Sequence, residues 1–215
     1  MFRQSIKLAA VVALITPFAQ ISLSTAWATD AKVAPINLTP EEAAERESRK
    51  ACKVQICAAF RAQAAGDDIA CNITKSWRKS QLSKVTQKAG VSWPWGAVQC
   101  KSDIKLSRAD MIKSMTADTH EMVLGEHTVS CTVQDEKEPS NIEFSFAPKV
   151  KFEKGIAKKA SLNWGEIKAP ALIKSAMWAA TATDNTFNVL ESTLVEDIND
   201  FISNKCDEVK TDWQK

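Results

Sequence analysis

Six cysteines, two histidines and a Trp-Pro-Trp triplet are the residues of this sequence whose types and spacing could do chemistry. Cys52, Cys57, Cys71, Cys100, Cys131 and Cys206 are even in number, and no two of them stand in a CxxC spacing. Zinc knuckles and thioredoxin-like redox sites use that spacing, so these cysteines read as structural disulfides made in an oxidising compartment. His120 and His127 lie close to Asp118, Glu121 and Glu126, the donor types of a metal site. A hairpin turning at Gly125-Glu126 would hold the two histidines about 13 Å apart at strand rise, too far to share one ion. Neither a metal nor another cofactor is expected.

Trp93-Pro94-Trp95 places two tryptophans on one side of an extended segment whose φ the proline restricts. Such a pair suits stacking on a glycan or sitting at a lipid headgroup interface. It suits equally a packed corner between a short helix and the strand that carries Val98 and Cys100. Trp164, on the core face of a later strand, is the third candidate binding residue. No catalytic residue stands out. The chain has no G-x-S-x-G elbow, no P-loop and no G-x-G-x-x-G, and Asp67-Asp68 beside Gly66 reads as a turn.

The elements that must position these residues begin after a targeting segment. Arg3 and Lys7 precede an apolar stretch at 8–18, and Ala26-Trp27-Ala28 is a small-x-small cleavage signal. Residues 1–28 therefore read as a signal peptide and 29–38 as an extended leader. The apolar stretch is shorter than the roughly 20 residues a bilayer span requires, and no later segment comes close. A periplasmic or secreted location follows, with no transmembrane span in the mature chain. Without Arg3 and Lys7, the 28 basic residues become 26, matching the 26 acidic ones. A neutral chain with no long basic run has no electrostatic footprint for nucleic acid.

Residues 39–206 read as one α+β domain, with 207–215 as a polar tail. Thr39-Pro40-Glu41-Glu42 combines a cap, a first-turn proline and a capping box, starting a helix that runs to about Ala65. Alternation then predicts strands at 69–76 and 97–106, with short helices at 80–89 and from Ser107 to Met115. A hairpin over 120–134 and a longer one over 141–164, turning at Glu153-Lys154-Gly155, complete about six strands. Register in the longer hairpin pairs Phe152 with Ile156, Phe146 with Leu162 and Phe144 with Trp164. Pro148 marks an edge or a bulge in it. From Pro170 the chain reads as a long helix with a kink or break at Thr183-Asp184-Asn185, then a stripe of Leu190, Leu194, Ile198 and Phe201. The fold expected is an antiparallel sheet packed on one face by an N-terminal helix and this C-terminal helix, braced by disulfides.

Faces and heights suggest the pairing. Cys100 and Cys131 share the inner face of neighbouring strands. Cys57 and Cys71 both lie roughly 12–16 Å from the Gly66 turn, which leaves Cys52 for Cys206. Three functions fit this reading. The first is non-catalytic binding of a lipid or other amphiphile between sheet and C-terminal helix. The second is recognition of an envelope protein by a domain with a filled core, and the third is a hydrolase.

Overall fold

Thr39 starts the fold by closing the capping box that its sequence spells. The computed structural model describes residues 38–88, 92–135 and 138–214, so the signal segment and nearly all of the leader lie outside the described residues. Helix α1 (Pro40–Arg61) begins with the Thr39 hydroxyl accepting from Glu42 N at 3.2 Å, while Glu42 Oε2 accepts from Thr39 N at 2.9 Å. Strand β1 (Ile69–Trp77), helix α2 (Lys79–Lys88), strand β2 (Val98–Leu106) and helix α3 (Arg108–Thr116) then follow where the periodicity puts them. Asp67 and Asp68 lie in the link between α1 and β1, where Asp67 O and Asp68 Oδ1 accept from the Arg108 side chain and backbone at 2.6 and 3.0 Å.

The hairpin expected at Gly125-Glu126 does not form. Strands β3 (Thr119–Val123) and β4 (His127–Val133) are two halves of one bent strand. It runs antiparallel to β5 (Ser140–Phe146) and β6 (Lys149–Glu153), which are likewise one strand bent at Ala147-Pro148. The returning strand, β7 (Ile156–Ser161) and β8 (Trp164–Lys168), bends at Leu162-Asn163, where Asn163 takes φ 50°. The three bends lie level with one another. Leu124 N donates to Pro148 O at 2.9 Å, and Ala147 N to Asn163 O at 3.2 Å. Proline has no N–H for a ladder and glycine has no Cβ to hinder a sharp twist, which suits the bends at Pro148 and Gly125; the third bend uses the left-handed Asn163 instead. In place of a single sheet of six strands, the chain builds a five-stranded sheet, β1-β2-β4-β5-β8, and a three-stranded one, β3-β6-β7.

The longer hairpin is real but shifted. Lys154 and Gly155 both have positive φ, so the turn has two residues, and Glu153 rather than Phe152 faces Ile156. Further along, Phe146 faces Trp164 and Phe144 faces Ile167. A bulge at Lys151/Phe152 adds the second residue of shift, and a two-residue shift leaves Phe146 on its intended face.

Helix α4 (Ala171–Phe187) does not break at Thr183-Asp184-Asn185; it ends at Asn188, which adopts φ 49°. Helix α5 (Glu191–Asp200) runs into a π-helical turn, Phe201–Lys205, and helix α6 (Lys210–Trp213) closes the chain. The segment read as a polar tail is packed. Trp213 is buried beside Val209, and its indole N–H donates to Cys206 O at 2.8 Å. Among the described residues no helix is long and apolar enough to cross a membrane.

All six cysteines are bridged, as Cys52–Cys71, Cys57–Cys206 and Cys100–Cys131. The expected Cys100–Cys131 bridge joins directly opposed residues of β2 and β4. The other two expected pairings, Cys57–Cys71 and Cys52–Cys206, are exchanged. The reason is azimuth. Glu45, Ser48, Arg49 and Cys52 form an i, i+3, i+4, i+7 stripe of α1 that faces β1, and Glu45, Ser48 and Arg49 hydrogen-bond to Ser76, Asn72 and Thr74 along its open edge. Cys57 lies about 140° round the helix from Cys52, so it faces the chain's last segment together with Val54 and Ala58. Axial height alone, the basis of the expected pairing, does not distinguish these partners.

Two of the other outer strands, β7 and β8, are also capped by side chains. Asn199 of α5 accepts from Ala157 N at 2.9 Å and donates to Ala157 O at 3.0 Å, replacing a neighbouring strand at the rim of β7. Asn185 of α4 does the same for Trp164 of β8, at 2.8 and 2.9 Å. Unpaired edges invite association with other chains, and these amides remove that hazard over the residues they cover.

Candidate functional site

Trp93 and Trp95 meet in a T-shaped contact with ring centroids 4.9 Å apart. Both are half-buried against Val98, Val133 and Ile142, with Leu82 of α2 and Ile173 and Met177 of α4 in the same cluster. The Trp93 indole N–H donates to Gly96 O at 2.9 Å, leaving no free donor on that ring. The triplet therefore forms a packed corner. Trp164 stands apart on β8, tilted against Phe144 and Phe146 at 5.8 and 5.9 Å, and its indole donates to Asp184 Oδ2 at 2.9 Å. None of the three tryptophans borders the molecule's apolar groove. Trp178 of α4 is 65% exposed.

The groove lies between the three-stranded sheet, α1 and α5. Ile56 and Phe60 of α1 form one wall, and Leu194, Asp197 and Ile198 of α5 with Phe201 and Ile202 of the π turn form the other. Met122, Val150 and the bend residues Leu124 and Pro148 form the floor. The volume is about 360 Å³, and Asp197 is the only polar residue in the lining. At its base Phe60 meets the fully buried Phe152 with centroids 6.2 Å apart.

The sequence explains this arrangement. Strand alternation turns Met122, Val150 and Phe152 inward while Glu121, Lys149 and Lys151 turn out. On α5 the stripe Leu194, Ile198, Phe201 keeps helical spacing, but α1 and the sheet cover only part of it, so these residues stay half-buried. In the π turn Cys206 N donates to Phe201 O, a wider loop than an α-helix makes. It lets the adjacent Phe201 and Ile202 both border the groove while Cys206 reaches Cys57. The stripe was visible as periodicity. The floor was not, because the expected hairpin paired Met122 with Val129 and Leu124 with His127, beside β4.

A wider depression of about 660 Å³ lies on the five-stranded sheet, lined by Gln99, Lys101, Thr132, Asn141, Glu143 and Lys168 among others. Its polar groups largely satisfy one another. Lys168 Nζ reaches Glu143 Oε1 at 2.8 Å, and Thr132 donates to Asn141 at 3.2 Å. The hydrogen bond to Glu143, then the charges of Glu143 and Glu166, raise the Lys168 ammonium above its ordinary value.

The histidines do not come together. His127 sits at the strand bend, with Nδ1 donating to Gly125 O at 2.7 Å and Nε2 accepting from Lys105 N at 3.3 Å. His120 lies seven residues earlier on the same bent strand, its Nε2 3.4 Å from Asp110 Oδ1. Among the described residues no three His, Cys, Asp or Glu side chains converge as a metal site would require. With every cysteine bridged, there is no thiol nucleophile either.

No protein-family model, no curated protein and no solved structure matches this chain.

Proposed function

We propose that this protein is an exported, non-catalytic component of the cell envelope that holds the apolar part of an amphiphile in the groove beneath α5. The observation that carries this reading is the groove lining itself, ten apolar residues and Asp197 around about 360 Å³. That volume lies in the range of small-molecule sites, which are mostly apolar with a few polar groups to orient the ligand. Asp197, exposed at the wall, disfavours an anionic headgroup beside it and favours a neutral, zwitterionic or cationic one. Three disulfides suit the oxidising compartment that the signal segment implies.

Exposed apolar side chains on α4 point towards the alternative, recognition of an envelope protein. Trp178 and Phe187 are 65% and 74% exposed, but nine helical residues set them about 180° apart, on opposite sides of the helix. They do not make one patch. Native mass spectrometry of protein purified from its own envelope tests the proposal. A reproducible co-purifying lipid, lost in the Ile198→Trp variant, is the expected result; a clean apo mass contradicts it.

A further inference from the structure

We infer that the outer face of the three-stranded sheet docks on an anionic membrane surface. Residues 149–159, KVKFEKGIAKK, carry five lysines against one glutamate. Buried Val150, Phe152 and Ala157 anchor this hairpin from within, so its other face belongs to solvent. On that face Lys151 stands directly opposite Lys159 in the β6–β7 ladder. Like charges at directly opposed positions destabilise a sheet, so this pair opposes the fold it sits in. Glu153, at 3.1 Å from Lys151 Nζ, and Glu121, opposite Lys151 in the β3–β6 ladder, offset part of it. Among the described residues the ion pairs leave Lys149, Lys158 and Lys159 without a carboxylate.

Two apolar side chains interrupt the lysines. Val123, paired with Lys149, is 55% exposed, and Ile156 at the hairpin tip is 49% exposed. A face of lysines flanked by exposed aliphatic side chains matches a surface with anionic headgroups outside and hydrocarbon just beneath. Nucleic acid fits less well, because the hairpin has no arginine and turns its one aromatic, Phe152, into the core. The inference rests on the outer face alone and holds whether or not the groove on the opposite side takes an amphiphile.

Co-sedimentation of the disulfide-intact chain with vesicles tests it. Vesicles of phosphatidylcholine and phosphatidylglycerol in equal parts should pellet the protein at low salt and release it at high salt, whereas pure phosphatidylcholine vesicles should not pellet it. The combined Lys151→Gln, Lys158→Gln, Lys159→Gln variant should lose about a hundredfold in vesicle affinity and melt no lower than the parent, since it removes a repulsive pair. Lys101→Gln with Lys105→Gln, on the other sheet, should leave binding unchanged. No pelleting of the parent on anionic vesicles at low salt overturns the inference. So does an equal loss in the Lys101/Lys105 variant, or tighter retention on duplex DNA than on vesicles. Uptake of N-phenyl-1-naphthylamine by the same samples reports on the groove separately.

Discussion

Trp164 and Asp184 are joined at 2.9 Å, the indole N–H donating to a carboxylate that is only 3% exposed. The other carboxylate oxygen accepts from Leu190 N at 2.9 Å, so one buried side chain ties β8 to the end of α4 and to the turn that starts α5. Asn185 adds two bonds to the Trp164 backbone. This cluster sets where α5 lies, and α5 forms one wall of the groove.

Asp184→Ala strands both donors and should destabilise the fold by about 1–3 kcal/mol in urea unfolding. Trp164→Phe removes one of the same bonds, so the two changes should couple by about 1 kcal/mol in a double-mutant cycle. Additivity within error would show that the bond contributes nothing measurable.

The bridging of α1 to β1 and to the chain's last segment predicts a specific peptide map. Digestion without reductant should recover Cys57 joined to Cys206 and Cys52 joined to Cys71. The first bridge spans 149 residues and the second 19. Chain entropy assigns them about 5 and about 3 kcal/mol respectively, so replacing Cys57 and Cys206 with serine should be the costlier change.

Why the exchanged pairing escaped the sequence is instructive. The capping box at Thr39, the strand alternation at Ile69 and Val98, and the Ser107 cap are local signals, and each was legible. Cys52 and Cys57 differ in azimuth, and which direction meets β1 depends on the tertiary course of the chain after Gly66. Gly125 presents the same difficulty. A glycine between apolar stretches suits a tight turn and a bent continuous strand equally well. The choice is made by Pro148, which bends the neighbouring strand at the same level. Leu194, Ile198 and Phe201 announced a stripe, but only the bends of β3 and β6 leave a groove beneath it. The tryptophans drew attention because of their size, yet packing half-buries Trp93 and Trp95 against one another and the sheet.

Acid should weaken the tie between α1 and the C-terminal segment. The hydrogen bond from Lys53, then that from Lys205, holds the Glu208 carboxyl down to about 2, from an ordinary 4.5. A carboxyl lowered on folding stabilises above its unfolded value, and that contribution fades as pH falls from about 4.5 towards 2. The pair is exposed, so salt should shrink the effect. Thermal melts of Glu208→Gln should show a weaker pH dependence over that window than the parent, and an identical dependence would remove Glu208 from the account.

Whether the groove beneath α5 takes an apolar chain is decided by a fluorescence titration with N-phenyl-1-naphthylamine. A groove that does so gives a saturable, blue-shifted signal at one probe per protein, displaced by dodecylphosphocholine below its micelle concentration. Ile198→Trp and Leu124→Trp, which fill the groove from opposite sides, should abolish that signal while leaving the circular dichroism melt intact. Absence of saturable uptake by the parent, or equal uptake by both folded variants, would contradict the proposal.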